Sequence, residues 1–428
     1  VLTLVPTLVE ENRLRLRRVL VERAVRLDAP PGRIAAGIGM RRTGKTCLMI
    51  REMQRLVAAG VDETAILFVS FEDDRLTPLD AGGLAALVDA FYATYPQNHG
   101  RSCHLFLDEI QCVTDWSRVL RRLLDTRDVR LTVSGSSARM LSREIATELR
   151  GRSLSVDVWP YAFEEWLRAG GHGFPAAPHG QATRDGLMGD LRRYLNEGGL
   201  PDTVDADLAT RQRILRDHLD VVLFRDVVER NGITNLPLVR YLMRTLLASA
   251  GRSVSLHKLY NDLQSQGRKV GKDTLHAYLS HFEDAYLVFP VGLHDTAPRR
   301  AENAPRKMYA VDTGLLTAAR LGTDDLGQRF ENLVFLDLRR QGAEVSYYQT
   351  RERREVDFLA THLDGRRELV QACWDASDPE TRAREQTALD EACAETGLGG
   401  RIVTPAGWLD EVSRRVSPEA GAAATRLQ

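Results

Sequence analysis

Eight consecutive residues, Gly39-Met40-Arg41-Arg42-Thr43-Gly44-Lys45-Thr46, hold the densest chemistry in this chain. Their glycines permit the unusual torsions and close approach that turn several backbone N–H groups inward around an anion. Lys45 then offers a compact ammonium on a flexible stem, able to reach the β- and γ-phosphates of a nucleotide as a point charge. The choice is selective. The chain has 58 basic residues and writes arginine almost everywhere, with lysine only at Lys45, Lys258, Lys269, Lys272 and Lys307. A planar guanidinium would be too wide for the cradle. The Thr46 hydroxyl stands where Mg2+ would take a ligand. Gly39, Arg42, Thr43, Gly44, Lys45, Thr46 and Cys47 are therefore the expected nucleotide contacts, with ATP and Mg2+ as expected cofactors. A dinucleotide fingerprint does not compete, because Arg42 occupies the place of its third glycine.

About 60 residues further on, Leu105-Phe106-Leu107-Asp108-Glu109 reads as a buried strand that delivers two acids at its carboxyl end. Asp108 is the expected Mg2+ partner beside Thr46. Glu109, with Lys45, is the expected catalytic residue, polarising the attacking water. The stretch Val133–Ser137 ends another strand in serines. Ser136 is the candidate sensor of the γ-phosphate, with Ser134 and Ser137 beside it, although a serine-capped helix start accounts for the same residues. Arg139, Arg143, Arg150 and Arg152 follow. Arg150 and Arg152 are the candidate arginine contacts to phosphate, against the plainer reading of solvated side chains.

These residues need a scaffold. Apolar runs at 34–38, 65–71, 104–109, 130–137 and 153–160 alternate with helical stretches, which predicts a parallel sheet covered on both faces. The last run alternates Leu154, Val156 and Val158. An amphipathic helix is expected over 10–27, with Leu14, Leu16, Val19 and Leu20 on one side. Helices are expected over 187–197 and 207–231, the second capped by Gly232. Composition is that of an ordinary globular protein: 428 residues, 43% hydrophobic, 27% charged, net charge −1. No global basic field points to nucleic acid. The five cysteines are odd in number and lack CxxC spacing, which disfavours a disulfide framework or zinc site and fits a reducing cytoplasm. No apolar run approaches a membrane span, and the first residues lack a signal peptide's basic start.

The stretches GMRRTGKT, LFLDEIQ, VSGSSARMLSREIATELRGRS, WPYAFEEW, EGGLPD and FRDVVERNG resemble the bacterial and archaeal AAA+-type P-loop ATPases that carry a C-terminal domain of unknown function. The resemblance spans nearly the whole chain. It implies an α/β fold: a P-loop NTPase parallel sheet of the additional-strand, catalytic-glutamate class, a helical lid, a winged-helix domain and an α/β restriction-endonuclease-like C-terminal domain. The corresponding boundaries are an N-terminal helix at 1–30, the ATPase core at 31–168, the lid at 169–236, the winged helix at 237–310, the nuclease-like domain at 311–416 and a tail at 417–428. Relatives of this kind often form rings, so a homo-oligomer is a candidate assembly.

In the winged-helix region, SLHKLYNDLQSQG and GKDTLHAYLSHFEDAYLV read as two helices, the second with a core stripe of Leu275, Leu279, Phe282 and Tyr286. Between Arg252 and Lys272 five basic residues face one acid, and RRAENAPRK (299–307) adds four more bases where a wing would fall. Duplex DNA is the candidate partner, through Lys269, Lys272, Thr274 and His276. A solvated or protein-docking face is the alternative. Further on, FENLVFLDLRR, REVDFLA and LVQACWD resemble a PD-(D/E)xK nuclease core. Glu331 and Asp357 match its acids. Gln371 stands in place of the Glu and Cys373 in place of the Lys, while Asp375 is a candidate substitute. The expected domain is therefore an inert relative of a nuclease, with Glu331, Asp357 and Gln371 as its vestigial site. Three functions follow: an ATP-hydrolysing switch, a nucleotide-gated scaffold with negligible turnover, or a DNA-cutting enzyme with a divergent site.

Overall fold

A computed structural model describes residues 4–76, 78–136, 151–175, 179–295, 297–319 and 325–416. The chain forms two compact units: Val1–Val158 with Asp284–Tyr286, and Trp159–Glu283 with Leu287–Gln428.

In the first unit the five apolar runs become strands β1 (Ile34–Ile38), β2 (Ile66–Ser70), β3 (Cys103–Asp108), β4 (Val129–Gly135) and β5 (Ser153–Asp157). They form one sheet in the order β2-β3-β4-β1-β5. Every neighbouring pair is parallel. β4 therefore stands between β1, which feeds the glycine-rich turn, and β3, which carries Asp108. This inserted strand is the mark of the additional-strand class expected from the sequence. All five strands end on one side, so the glycine turn and Asp108 meet at the carboxyl edge. Leu48, Met49 and Met53 of the helix Lys45–Ala58 pack with Ile66, Phe68, Phe106, Leu27 and Val158 in the core. Each side chain of this size contributes about 1.5–3 kcal/mol by leaving water.

Two details depart from the sequence reading. The first helix is Leu4–Leu16, with Val5, Leu8, Val9 and Asn12 buried. Leu14 and Val19, expected on its inner side, are exposed. The helix stops early because the following chain is needed elsewhere. The Arg23 guanidinium donates to the Thr43 carbonyl at 2.9 Å, and Leu27 enters the core. The second departure is at β5, where Leu154 faces outward despite the alternation. β5 pairs only with β1, so it is an edge strand.

The second unit begins with helices. Phe163–Ala169 and Gln181–Glu197 are followed by Leu208–Val221, which continues as a wider π-helical stretch, Val222–Glu229. Gly232, at φ 61°, ends the run as expected. The WPYAFEEW and EGGLPD stretches lock together. Tyr161 N–H donates to the Gly199 carbonyl at 2.7 Å, and Gly199 N–H donates to Asp312 at 2.6 Å. Asp312 also accepts from Gly314 N–H at 2.8 Å. Gly198 is needed there, since its φ is +79° and a Cβ would lie 2.0 Å from the Asp312 carboxylate.

Helices Leu236–Ala248, Leu256–Ser265 and Lys272–Asp284 come next. Leu275, Leu279, Phe282 and Tyr286 are buried, as the stripe predicts. A three-stranded antiparallel sheet accompanies them, ordered β6 (Ser253–Val254), β8 (Arg306–Ala310), β7 (Val288–Val291). The C-terminal part runs helix Leu326–Arg340, β9 (Glu344–Gln349), β10 (Glu355–Thr361), β11 (Arg367–Ala372), helix Pro379–Thr396, β12 (Gly399–Val403), helix Pro405–Val416. Its sheet order is β12-β11-β10-β9, antiparallel except for the parallel β11–β12 pair. Val356, Leu359 and Leu369 pack there against Ala388, Leu389 and Ala392. Among the described residues no helix is long and apolar enough to cross a membrane.

Candidate functional sites

At the carboxyl edge of the first sheet, β1 runs fully buried into the glycine turn. A Cβ on Gly39 would sit 2.3 Å from the Val158 carbonyl oxygen, so only glycine fits. Gly44 adopts φ 91° and opens the helix Lys45–Ala58, and Arg42 also has positive φ, 68°. The left-handed turns expose successive N–H groups on the concave side, next to the positive end of that helix. Thr43 Oγ1 donates to the Met40 carbonyl at 3.0 Å and holds the turn together. Lys45 Nζ lies 3.0 Å from the carbonyl oxygens of both Gly39 and Met40, and 3.7 Å from Glu109 Oε1. Arg42 and Cys47 are exposed at the rim.

Thr46 Oγ1 donates to Asp108 Oδ2 at 2.8 Å, which joins the glycine turn to β3. The other Asp108 oxygen accepts a short hydrogen bond from Ser134 Oγ, on the neighbouring strand β4. Ser134 Oγ also accepts from Glu109 N–H at 3.1 Å. Glu109 itself sits at φ 53°, a left-handed position that turns its carboxylate away from the strand line towards Lys45. Gln111 Nε2 makes a short hydrogen bond to it. Burial pushes the Asp108 carboxyl above its ordinary range, while Ser134, Thr46 and Lys45 act against this. A hydroxyl, a carboxylate and an ammonium on a flexible stem at one mouth suit a triphosphate with Mg2+.

Of the neighbouring candidates, Ser136 is buried just beyond β4. Ser134, two residues earlier, touches both acids. Arg152 pairs with Asp125. Its carbonyl bonds Ile34 N–H, at the amino end of β1. It stands at the opposite edge of the sheet from the glycine turn, so the expected contact between Arg152 and phosphate is not formed within this chain. Ser137, Arg139, Arg143 and Arg150 lie outside the described residues.

In the second unit, Lys269, Lys272 and His276 are exposed and Thr274 is half-buried. Lys272 Nζ lies 5.2 Å from the Tyr260 ring centre and the Arg268 guanidinium 4.7 Å from that of Tyr241. The cations thus rest on aromatic rings, which the sequence spacing had not suggested.

A second polar cluster brings together Glu331, Asp357 and Gln371. Lys307 Nζ contacts Glu331 at 2.7 Å, Asp357 at 2.9 Å and Glu355 at 3.0 Å. Gln371 Nε2 donates to Asp357 Oδ2 at 2.8 Å and to Glu385 at 2.6 Å. Gln371 Oε1 accepts from Asp357 N–H. Tyr309 O–H donates to Glu331 at 2.7 Å. Burial acts to depress the Lys307 ammonium, but Asp357, Tyr309, Glu331 and Glu355 outweigh it and hold the pKa well above the lysine range. Burial and the Asp357 charge raise the Glu331 carboxyl.

Two expectations change here. Lys307, grouped with the exposed wing cations, is 2% exposed and lies inside the acid cluster, paired with Glu355 and Asp357. Asp375 caps Ser377 at the surface and takes no part. Lys307, Tyr309 and Glu385 were missed as site residues. The available signal was that Lys307 and Tyr309 are two apart in a strand and so share one face.

The AAA domain family matches residues 32–167, and a domain of unknown function (DUF8612) matches 188–326. The uncharacterised protein MJ1544 of Methanocaldococcus jannaschii is 30% identical, over 89% of this chain and 83% of its own. An uncharacterised protein of Haemophilus influenzae is 27% identical, over 76% of this chain and 79% of its own. Among solved structures, the Aeropyrum pernix ORC1 protein in complex with DNA is 16% identical with a TM-score of 0.31, covering 74% of this chain and 91% of its own. CDC6p from Pyrobaculum aerophilum is 14% identical with a TM-score of 0.26, covering 68% and 88%.

Proposed function

We propose that this chain, which belongs to the AAA+-type P-loop ATPase family together with the M. jannaschii relative, is an ATP-hydrolysing molecular switch. The observation that carries the reading is the Thr46–Asp108 hydrogen bond, with Lys45 and Glu109 3.7 Å apart at the same mouth. The inward N–H groups of Gly39–Gly44 would hold the phosphates, and the Lys45 ammonium would leave its two carbonyl partners for the β- and γ-oxygens. Thr46 and Asp108 would hold Mg2+, which supplies charge neutralisation across those oxygens. The Glu109 carboxylate would orient a water for in-line attack and take its proton. Ser134 holds Asp108 and the Glu109 backbone in register, so a change at one acid is felt at the other.

The test is phosphate release with Mg2+. Lys45→Ala should lower ATP affinity. Glu109→Gln should leave affinity within about 3-fold but cut kcat by about 100-fold or more. No release by the wild type, with ATP affinity indifferent to Lys45→Ala, refutes nucleotide use. Tight binding with turnover indifferent to Glu109→Gln favours a nucleotide-gated scaffold instead.

A second reading concerns what the switch acts on. The exposed Lys269 and Lys272, the latter on Tyr260, beside a helix pair and a three-stranded sheet, support a winged helix that contacts duplex DNA. Binding should weaken steeply with salt, and Lys269→Glu with Lys272→Glu should abolish it. Salt-independent binding, or no effect of the pair, leaves a protein-docking surface.

A further inference from the structure

We infer that the Lys307 ammonium is the resident cation of the Glu331–Glu355–Asp357 cluster, keeping divalent metal out of it, and that its removal turns the cluster into a divalent-cation site. The inference concerns the second unit alone and does not depend on the ATPase reading.

Three elements build the cluster. Strand β8 brings Lys307, the helix Leu326–Arg340 brings Glu331, and β10 brings Glu355 and Asp357 on one face, two residues apart. The ammonium donates a hydrogen bond to Asp357 Oδ1 at 2.9 Å, and Glu331 and Glu355 pair with it at 2.7 and 3.0 Å. The three acids thus converge on a single point. Asp357 Oδ2, the oxygen turned away from the ammonium, accepts from Gln371 Nε2 and from Ala372 N–H at 3.0 Å. The Glu331 oxygen facing Lys307 also accepts from Tyr309.

Gln371 reinforces this. Its amide nitrogen serves two carboxylates, Asp357 and Glu385, and its oxygen serves Asp357 N–H. The opposite orientation would set its oxygen against both carboxylates. The side chain thus offers no free oxygen to a metal, whereas a glutamate in its place would. Mg2+ and Mn2+ need oxygen ligands at about 2.0–2.2 Å, and the oxygens at which all three acids meet are those that face the ammonium. Two cations cannot share that point.

Charge explains the second half. Three carboxylates face one ammonium, so removing Lys307 leaves negative charge with no counter-ion in a buried place. Glu355, the most exposed of the three acids, lines a cleft of about 760 Å³ with Arg299, Arg300, Asn303 and Gln349. The cluster also ties β8 to β10 through a tethered charge, a role that needs no catalysis.

The experiment is Mn2+ titration of the full, nucleotide-free chain, followed by electron paramagnetic resonance of free Mn2+ and by thermal unfolding. The wild type should bind no Mn2+ that Asp357→Asn removes, up to about 1 mM. Lys307→Met should bind one Mn2+ at least about 10-fold more tightly than this limit, with its unfolding midpoint raised by Mn2+. Lys307→Met/Asp357→Asn should lose both effects. Wild-type binding that Asp357→Asn removes overturns the proposal, as does a folded Lys307→Met that binds no Mn2+. Lys307→Gln, which keeps a hydrogen-bonding head, replaces Lys307→Met if the latter does not fold. If neither folds, the wild-type titration decides: silence supports a resident ammonium and binding overturns it.

Discussion

Ser134→Ala tests whether the coupling between the two acids at the nucleotide mouth is real. The hydroxyl is wholly buried, donates to Asp108 and accepts from the Glu109 amide. Losing a hydrogen bond to a carboxylate costs about 1.5–3 kcal/mol, and an unpaired buried N–H costs about 1–3 kcal/mol. Both losses arise at one oxygen, so they overlap, and the expected destabilisation is about 3 kcal/mol. For a unit of this size that lowers the unfolding midpoint by about 6–12 °C. Asp108 would keep only its bond to Thr46 and could rotate out of position. Loss of fixed geometry of this kind costs about 100-fold in turnover. The Mg2+ dependence of hydrolysis should move to higher concentration, while metal-free nucleotide binding, held by the glycine turn, changes little. Ser134→Thr keeps the hydroxyl and should recover most of both effects. Calorimetry of the nucleotide-free chain and phosphate release over a Mg2+ series measure the two consequences. A midpoint within about 2 °C of wild type, together with an unchanged Mg2+ dependence, would refute the bridge.

Gly39→Ala should lower ATP affinity by about 10-fold or more, because its Cβ meets the Val158 carbonyl, a backbone atom that cannot swing aside; equilibrium binding of a fluorescent ATP analogue measures it. Gly198→Ala should cost about 2 kcal/mol or more, since a side chain at φ +79° is strained and meets the fixed Asp312 carboxylate. Urea unfolding of the full chain checks this, and wild-type stability would contradict it. The hydrogen bond from Arg101, with those from Thr64, holds the Asp62 carboxyl down at about 2 against an ordinary 3.8. Its stabilisation is therefore present above pH 3.8 and is lost as pH falls towards 2. Asp62→Asn should lower the midpoint at pH 6 and narrow the gap to wild type at pH 2, as read by circular dichroism; an equal gap at both pH values would exclude the linkage.

The glycine turn, Thr46, Asp108 and Glu109 were legible in sequence because each depends on its own strand and the few residues after it. Five buried runs separated by helices likewise define a parallel sheet, since only that arrangement covers both faces of such strands. The stripe through Leu275, Leu279 and Phe282 was legible for a similar local reason. That Ser134 bridges the two acids was not legible, because it follows from β4 lying directly beside β3. The sequence also suggested a longer first helix, because propensity carries no record of Arg23 having to reach the Thr43 carbonyl.

Lys307 shows the limit most clearly. Among neighbouring arginines and lysines it reads as another surface cation, and its short strand, next to Pro305, gives little periodicity. Only the meeting of β8 with β10 and a helix places its ammonium among three carboxylates, whose sequence positions are 24 to 50 residues away. Local pattern fixes what a segment can become and which groups its ends present. Burial of one charge by partners from distant segments is a property of packing, and only the tertiary structure decides it.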